Sequence, residues 1–349
     1  MLRSQNFRAN LRSQIQIHFE GRMLTDNHGR NINYLRLAVT DRCNLRCTYC
    51  MPEAGLKWIP RADLLTFEEI ERLLFVFHQL GITKLRFTGG EPFLRKDFPQ
   101  LLEMIAGKKW FDQLAITTNG TLAANYVPLL KQLGVHSVNL SLDTLDPQRF
   151  HEMTRRNDFE EVMRTFHLLM EHEIDTKVNA VIVDGQNDSD ILPLAQLSAQ
   201  HKADVRYIEE MPFNGVGERH AIKWNYRAIL GELKIHYPDI SKLPDPANST
   251  SLNYHVPGHK GNIGIIPAWS RSFCGTCNRI RLTPKGMMKT CLYDNGKLDL
   301  RALVRSGCSD EEMSHQIIHA IGHRAKDGFE EENARKLHPV TESMATIGG

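Results

Sequence analysis

No apolar run in these 349 residues is long enough to span a bilayer, and no secretory h-region stands near the start. A membrane-bound or exported chain is therefore not expected, and the reading is a cytoplasmic protein in a reducing compartment. Charge of one sign is missing too: 43 Lys and Arg against 41 Asp and Glu leave a formal net charge of +2. That is too little for a protein that coats nucleic acid. Aromatic residues make up 8% of the chain and do not cluster into base-stacking platforms. Low-complexity linkers and short-period repeats are absent. Cysteine is scarce and odd in number, seven in all, and a chain of this length needs no covalent staples. Disulfides are not expected, so the cysteines need another purpose.

Three of them stand together in Asp41-Arg42-Cys43-Asn44-Leu45-Arg46-Cys47-Thr48-Tyr49-Cys50. Three thiolates on one short loop can hold three irons of a cubane cluster and leave the fourth iron free for a ligand. Structural zinc would supply four ligands, commonly as two distant C-x2-C pairs, and the C-x3-C-x2-C spacing fits that poorly.

From Tyr34 to about Met211, strand-like and helix-like segments alternate. Strands are expected at 33–40, 82–88, 113–118, 136–143, 176–183 and 204–210. The first intervening helix carries a capping box, Thr66 with Glu69, then Phe67, Ile70, Leu73, Leu74 and Phe77 at helical spacing. Six βα units imply a parallel sheet. Alternation within the strands sets Leu35, Leu37 and Val39 against Tyr34, Arg36, Ala38 and Thr40, and Leu85 and Phe87 against Lys84, Arg86 and Thr88. Likewise Val138, Leu140 and Leu142 oppose Ser137, Asn139, Ser141 and Asp143, while Val178, Ala180 and Ile182 oppose Lys177, Asn179 and Val181. A doubly wound sheet would be apolar on both faces, and a closed eight-stranded barrel would fill its interior with branched side chains. The expectation is an α/β fold of the partial (βα)6 TIM type, open on one side with a polar concave face, and a smaller C-terminal α+β domain.

Beyond the sheet lies Cys274-Gly275-Thr276-Cys277-Asn278-Arg279-Ile280-Arg281, followed by Cys291. This is a second trio, spaced C-x2-C-x13-C. Cys308 is a weak fourth ligand, and zinc with a borrowed His is the competing reading. If Arg279 and Arg281 lie on a strand they share a face, and with Arg36, Arg86 and Lys177 they form a cationic pocket suited to a phosphate-bearing anion. Gly89-Gly90-Glu91-Pro92 follows the second strand, where glycine lets a backbone approach a ligand closely.

The two trios, the Gly-Gly-Glu-Pro turn, Cys-Asn-Arg-Ile-Arg and the terminal Gly348-Gly349 together resemble the GTP 3′,8-cyclase family of the radical S-adenosylmethionine superfamily. The resemblance runs from about Leu24 to Gly349 and weakens over about 326–342. It implies two [4Fe-4S] clusters, one on Cys43, Cys47 and Cys50 and one on Cys274, Cys277 and Cys291, with S-adenosylmethionine contacted at Tyr49, Gly90, Ser141 and Met211. It further implies a 5′-deoxyadenosyl radical that abstracts the ribose C3′ hydrogen of GTP, C3′–C8 bond formation to (8S)-3′,8-cyclo-7,8-dihydroguanosine 5′-triphosphate, and the opening of molybdenum cofactor (molybdopterin) biosynthesis. Arg36, Arg86, Thr117, Lys177, Arg279 and Arg281 would hold GTP, and Gly348 and Gly349 would thread a tail toward the reaction. Implied partners are a flavodoxin- or ferredoxin-type electron donor, the cyclic pyranopterin monophosphate synthase that acts next, and a second copy in a homodimer; nucleic acid and membrane are not among them. The alternatives are a radical peptide-modifying enzyme with an auxiliary cluster and a zinc-bearing nucleic-acid-binding protein. Residues 1–22, with Arg3, Arg8, Arg12 and Arg22 against Glu20 alone, read as a disordered extension or a weak transit peptide; 23–235 read as the barrel and 236–349 as the domain with the second cluster and the Gly-Gly tail.

Overall fold

The period-two alternation becomes six parallel strands in the computed structural model, which describes residues 23–211, 213, 222–335 and 342–348. The N-terminal extension, part of the weakly matching segment and Gly349 lie outside the described residues. The six strands are β1 (Tyr34–Ala38), β2 (Lys84–Thr88), β3 (Gln113–Thr118), β4 (Ser137–Ser141), β5 (Asp175–Ile182) and β6 (Ala203–Glu209). Each pairs in parallel with the next.

The C-terminal segment was expected to build a smaller unit. Among the described residues it instead extends both edges of the same sheet. On the β6 side, β7 (Ser241–Lys242), β8 (Leu252–His255) and β9 (Ile263–Ile266) are added, with β9 parallel to β6. On the β1 side come β10 (Arg279–Leu282), β11 (Met287–Lys289) and β12 (Leu298–Asp299), with β10 parallel to β1. The result is one twelve-stranded sheet in the order β12-β11-β10-β1-β2-β3-β4-β5-β6-β9-β8-β7, which does not close.

Helices cover the outer face. The helix Phe67–Gln79 makes both bonds of its capping box, Glu69 N–H to Thr66 Oγ1 at 3.2 Å and Thr66 N–H to Glu69 Oε2 at 2.8 Å. It turns Ile70, Leu73, Leu74 and Phe77 onto Leu35, Leu37, Val39, Leu85 and Phe87. A second apolar cluster joins Leu140, Leu142, Val178, Ala180 and Ile182 to Phe166, Ile191 and Leu194. Each such side chain, removed fully from water, contributes roughly 1.5–3 kcal/mol. With the apolar set committed outward, the opposite set of every strand must face the hollow. Among the described residues no helix is long and apolar enough to cross a membrane.

Candidate functional site

Parallel register stacks the cations in rows. Arg281, Arg36 and Arg86 lie directly opposite one another on β10, β1 and β2, and one residue pair nearer the strand starts Arg279, Tyr34 and Lys84 do the same. Across the sheet, Lys177 and Arg206 rise from β5 and β6. All of these line one cavity of about 480 Å³. Burial and the neighbouring Arg281 draw Arg36 down to about 9; burial and Arg279 draw Arg281 to about 10. Lys84, Lys177 and Arg206 are lowered as well, each chiefly by burial. Burial would raise the Tyr34 phenol, but Arg86, Arg36 and Lys84 overcome it and bring it to about 7. Cations crowded to this degree are stabilised by a bound anion. Nε of Arg206, Nη2 of Arg279 and Oδ1 of Asn139 and Asn179 are buried without a hydrogen-bond partner, which fits a polar ligand in the hollow.

The cations differ in how free they are. Arg86 is only 4% exposed and donates from Nε to Tyr34 Oη at 2.7 Å and from Nη1 to the Ile116 carbonyl at 2.7 Å. It supplies charge and holds Tyr34 rather than offering an open fork. Lys177 pairs with Asp175. Arg281 donates to the carbonyl of Gly348. That glycine has φ +80° and sits over the registered pair Ala38 and Thr88, where an added Cβ would meet Thr88 Cγ2 at 2.9 Å and Ala38 Cβ at 3.0 Å. A larger residue does not fit there without strain.

The first cysteine loop follows β1, at the C-terminal ends of the strands. Cys43, Cys47 and Cys50 are free thiols lining a second cavity of about 190 Å³ with Tyr49, Gly90, Thr117, Ser141 and Met211. The Gly89-Gly90 turn lies directly against this loop: a Cβ on Gly90 would meet the Arg42 carbonyl oxygen at 2.3 Å, and one on Gly89 the Thr40 oxygen at 2.4 Å. Tyr49 Oη donates to Asp143 Oδ2 at 2.7 Å. Buried Glu91 accepts from the backbone N–H of Phe93 and Asn119 and from Thr118 Oγ1. Burial pushes Glu91 up to about 7 and Asp143 up to about 6. Burial also raises all three thiols, Cys43 to about 12 with Glu91 adding to the effect.

The second trio opens into the cationic cavity, where Cys274, Cys277 and Cys291 all contribute to the lining. At one of its three thiols the field is reversed. Burial alone would raise Cys277, yet the Arg279 and Arg324 guanidiniums bring it down to about 6. Burial raises Cys274, and raises Cys291 to about 12. Among the described residues no three His, Cys, Asp or Glu side chains converge as the ligand set of a single metal ion. Cys308 does not join either trio: it packs against the helical core, its thiol donating to the Ser309 carbonyl.

The two cavities share Asn179, Ile208, Met211 and Met344 as lining, so the trios line adjoining cavities. The structure brings together Arg36, Arg86, Lys177, Arg279 and Arg281 in one of them, and Tyr49, Gly90, Ser141 and Met211 in the other; Thr117 falls with the second group, 3.4 Å from Arg86 Nη1. Sequence reasoning did not assign Arg206, Tyr34, Lys84, Asp143 or Glu91 to the site. The period-two rule applied to Asp204, Arg206 and Ile208 would have found the first. Arg324 gave no signal at all.

A parallel, unclosed sheet with three thiols after its first strand and a Gly-Gly-Glu-Pro turn after its second defines the radical S-adenosylmethionine class, and residues 37–198 match the Radical SAM superfamily. Residues 203–329 match Molybdenum Cofactor Synthesis C. The chain is 38% identical over 327 residues to the GTP 3′,8-cyclase of Syntrophomonas wolfei, covering 91% of this chain and 99% of that one. It is 38% identical to the mitochondrial GTP 3′,8-cyclase of Arabidopsis thaliana, covering 93% and 83%. It is 40% identical over 310 residues to molybdenum cofactor biosynthesis protein 1 of Bos taurus, covering 87% of this chain but 48% of that protein, so it spans about half the length of such animal relatives. Among solved structures, Streptococcus suis SuiB shares the fold, with TM-score 0.58, 14% identity, and coverage of 84% of this chain and 67% of that one. The chain belongs to the GTP 3′,8-cyclase family of radical S-adenosylmethionine proteins.

Proposed function

We propose that the chain converts GTP to (8S)-3′,8-cyclo-7,8-dihydroguanosine 5′-triphosphate, the first step of molybdenum cofactor biosynthesis. The observation that carries the reading is a pair of adjoining cavities, each lined by one thiol trio, with the cation cluster lining only one of them. Soft thiolate donors suit iron–sulfur clusters. Cys43, Cys47 and Cys50 would hold one [4Fe-4S] cluster, with S-adenosylmethionine against Tyr49, Gly90, Ser141 and Met211. That pair, when bound, supplies the radical that takes the ribose C3′ hydrogen. Cys274, Cys277 and Cys291 would hold the second cluster at the end where the nucleotide sits.

The rest is the chain's own work. Arg36, Arg279 and Arg281 present charge from adjacent strands to a triphosphate, and Lys177 closes the opposite side. Arg86 holds Tyr34 and adds charge behind them. Thr117 lines the first trio's cavity and lies 3.4 Å from Arg86 Nη1. Held between the ends, the ribose would meet the radical on one side while the base is fixed on the other, which is how positioning makes a ring closure probable. Gly348, and with it Gly349, would place a side-chain-free tail along this space. Residues 23–235 would then form the radical S-adenosylmethionine barrel, which also contributes Arg36, Arg86 and Lys177 to the nucleotide, and 236–349 the part that holds the second cluster. A flavodoxin- or ferredoxin-type donor would reduce the first cluster, cyclic pyranopterin monophosphate synthase would take the product, and the chain would work as a cytoplasmic homodimer.

The test is to incubate the reduced, iron-loaded protein with S-adenosylmethionine and GTP. The expected result is deoxyadenosine together with a cyclised nucleotide. Deoxyadenosine formed without any nucleotide product contradicts the proposal. A peptide-modifying enzyme would leave the cation cluster without an anion.

A further inference from the structure

The second cysteine loop is gripped by two buried arginines from distant parts of the chain. Arg324, 3% exposed, follows the helix Asp310–Ile321; its Nη1 donates to the Cys277 carbonyl at 2.9 Å and its Nη2 reaches the Cys277 sulfur at 3.1 Å. Arg30 comes from the turn between the bridged residues Thr25 and Asn31 and donates from Nη1 to the Cys274 carbonyl at 3.0 Å. The same guanidinium holds the carbonyls of Ala325 and Lys326 at 2.9 and 2.6 Å, so it ties the loop to the segment that carries Arg324.

One carboxylate serves both arginines. Asp26 pairs with Arg30 Nε at 2.6 Å and stands 3.6 Å from Arg324 Nη1. It also accepts the backbone N–H of His28 and Arg30, while His28 Nε2 meets the Arg324 carbonyl at 3.0 Å. A buried, fully engaged pair of this kind fixes geometry even where its net stabilisation is small. Among the described residues no corresponding guanidinium hydrogen bond reaches a sulfur of the first trio; the contacts there are neutral, the amide of Asn119 3.7 Å from Cys43 Sγ and the hydroxyl of Ser343 3.6 Å from Cys50 Sγ.

We propose that Arg324 is a positioning residue that tunes the metal group on the second trio through the Cys277 sulfur, and that Asp26 and Arg30 hold it and the loop in place. This rests on the reading that the second trio carries an iron–sulfur cluster. A hydrogen bond and a positive charge at a ligating sulfur withdraw electron density from it and favour the reduced cluster, which raises the midpoint potential. Loosening the bracket without touching the sulfur should weaken retention of the metal instead.

The experiment is a redox titration of the full, iron-loaded chain followed by electron paramagnetic resonance, with iron counted. Wild type should show two clusters of separate midpoint. In Arg324→Met the second midpoint moves negative while the first stays where it was. In Asp26→Asn, which removes the carboxylate that holds Arg30 and faces Arg324, chelator-driven loss of the second cluster's iron becomes about tenfold faster. Arg324→Met with both midpoints unmoved, or both moved equally, overturns the proposal and leaves the two-cluster reading standing. A wild type holding only about four irons per chain overturns the two-cluster reading, and the proposal with it. Should Arg324→Met fail to fold, Arg324→Lys reads the same property. One ammonium cannot reach both acceptors, so a smaller negative shift is expected, and an unshifted midpoint in the folded Lys variant overturns the proposal equally.

Discussion

Cys43 and Cys47 feel the buried carboxyls Glu91 and Asp143, while Cys277 lies between the guanidiniums of Arg279 and Arg324. Each trio supplies three thiols, and the field is reversed at Cys277 alone, since Cys274 and Cys291 are raised as the first trio is. Field, more than ligand set, separates the two cavities. The first loop follows β1 and rests on a glycine turn, with the carboxyls Glu91 and Asp143 as the charges its thiols feel. The second immediately precedes β10, whose register with β1 brings the arginine rows alongside. An anion is therefore drawn to one end only.

The largest expected effect comes from deleting either trio. Changing Cys43, Cys47 and Cys50 to Ser should remove about four of about eight irons and all cleavage of S-adenosylmethionine. The same change at Cys274, Cys277 and Cys291 should remove the other four and the cyclised nucleotide. Iron content and deoxyadenosine yield check both, and loss of cofactor cleavage from the second set alone would break the division.

Next is Arg281→Ala, which takes a charge from the hollow and releases the Gly348 carbonyl. Hydrogen bonds to charged groups contribute about 1.5–3 kcal/mol, so KM for GTP should rise about 10–100-fold, with S-adenosylmethionine affinity unchanged. Steady-state kinetics in both substrates decide it. A smaller effect sharpens the electrostatic contrast. In metal-free protein the Cys277 thiolate forms as pH rises through about 6, whereas Cys43 and Cys291 sit at about 12. Alkylation near pH 7 should therefore label Cys277 on the order of a hundredfold faster than either, with a rate that falls below pH 6. Peptide mapping reads the order, and simultaneous labelling of all three contradicts the assigned fields.

The smallest effect concerns Glu91. Its carboxyl is raised from 4.5 to about 7 by burial, so the folded chain keeps a proton that the unfolded chain releases. That contribution to stability is complete below about pH 4.5 and is lost as pH rises to about 7, amounting to no more than about 3 kcal/mol. Glu91→Gln should flatten the pH dependence of urea unfolding across that window; an unchanged slope would show the carboxyl to be ordinary.

Much of this was legible in the strands. Alternation in 34–40 and 84–88 gave the hollow its cations, because a sheet with helices on one side must turn the other residue set inward. The capping box at Thr66 marked its helix for an equally local reason. What escaped was long-range. Residues 279–282 carry no mark that they will pair with β1, and the extension of the sheet at both edges depends on partners some 60 to 240 residues away. Asp26 and Arg30 are four residues apart, but Arg324 joins them only through the folded chain, and nothing in the local spacing sets the three apart from surface charges.

The account stands or falls on the second trio being the nucleotide end. The direct measurement is the electron paramagnetic resonance signal of the chain lacking Cys43, Cys47 and Cys50, recorded with GTP and separately with S-adenosylmethionine. A signal that changes with GTP and ignores S-adenosylmethionine is predicted. A signal that changes with S-adenosylmethionine alone, or no cluster signal at all, contradicts it.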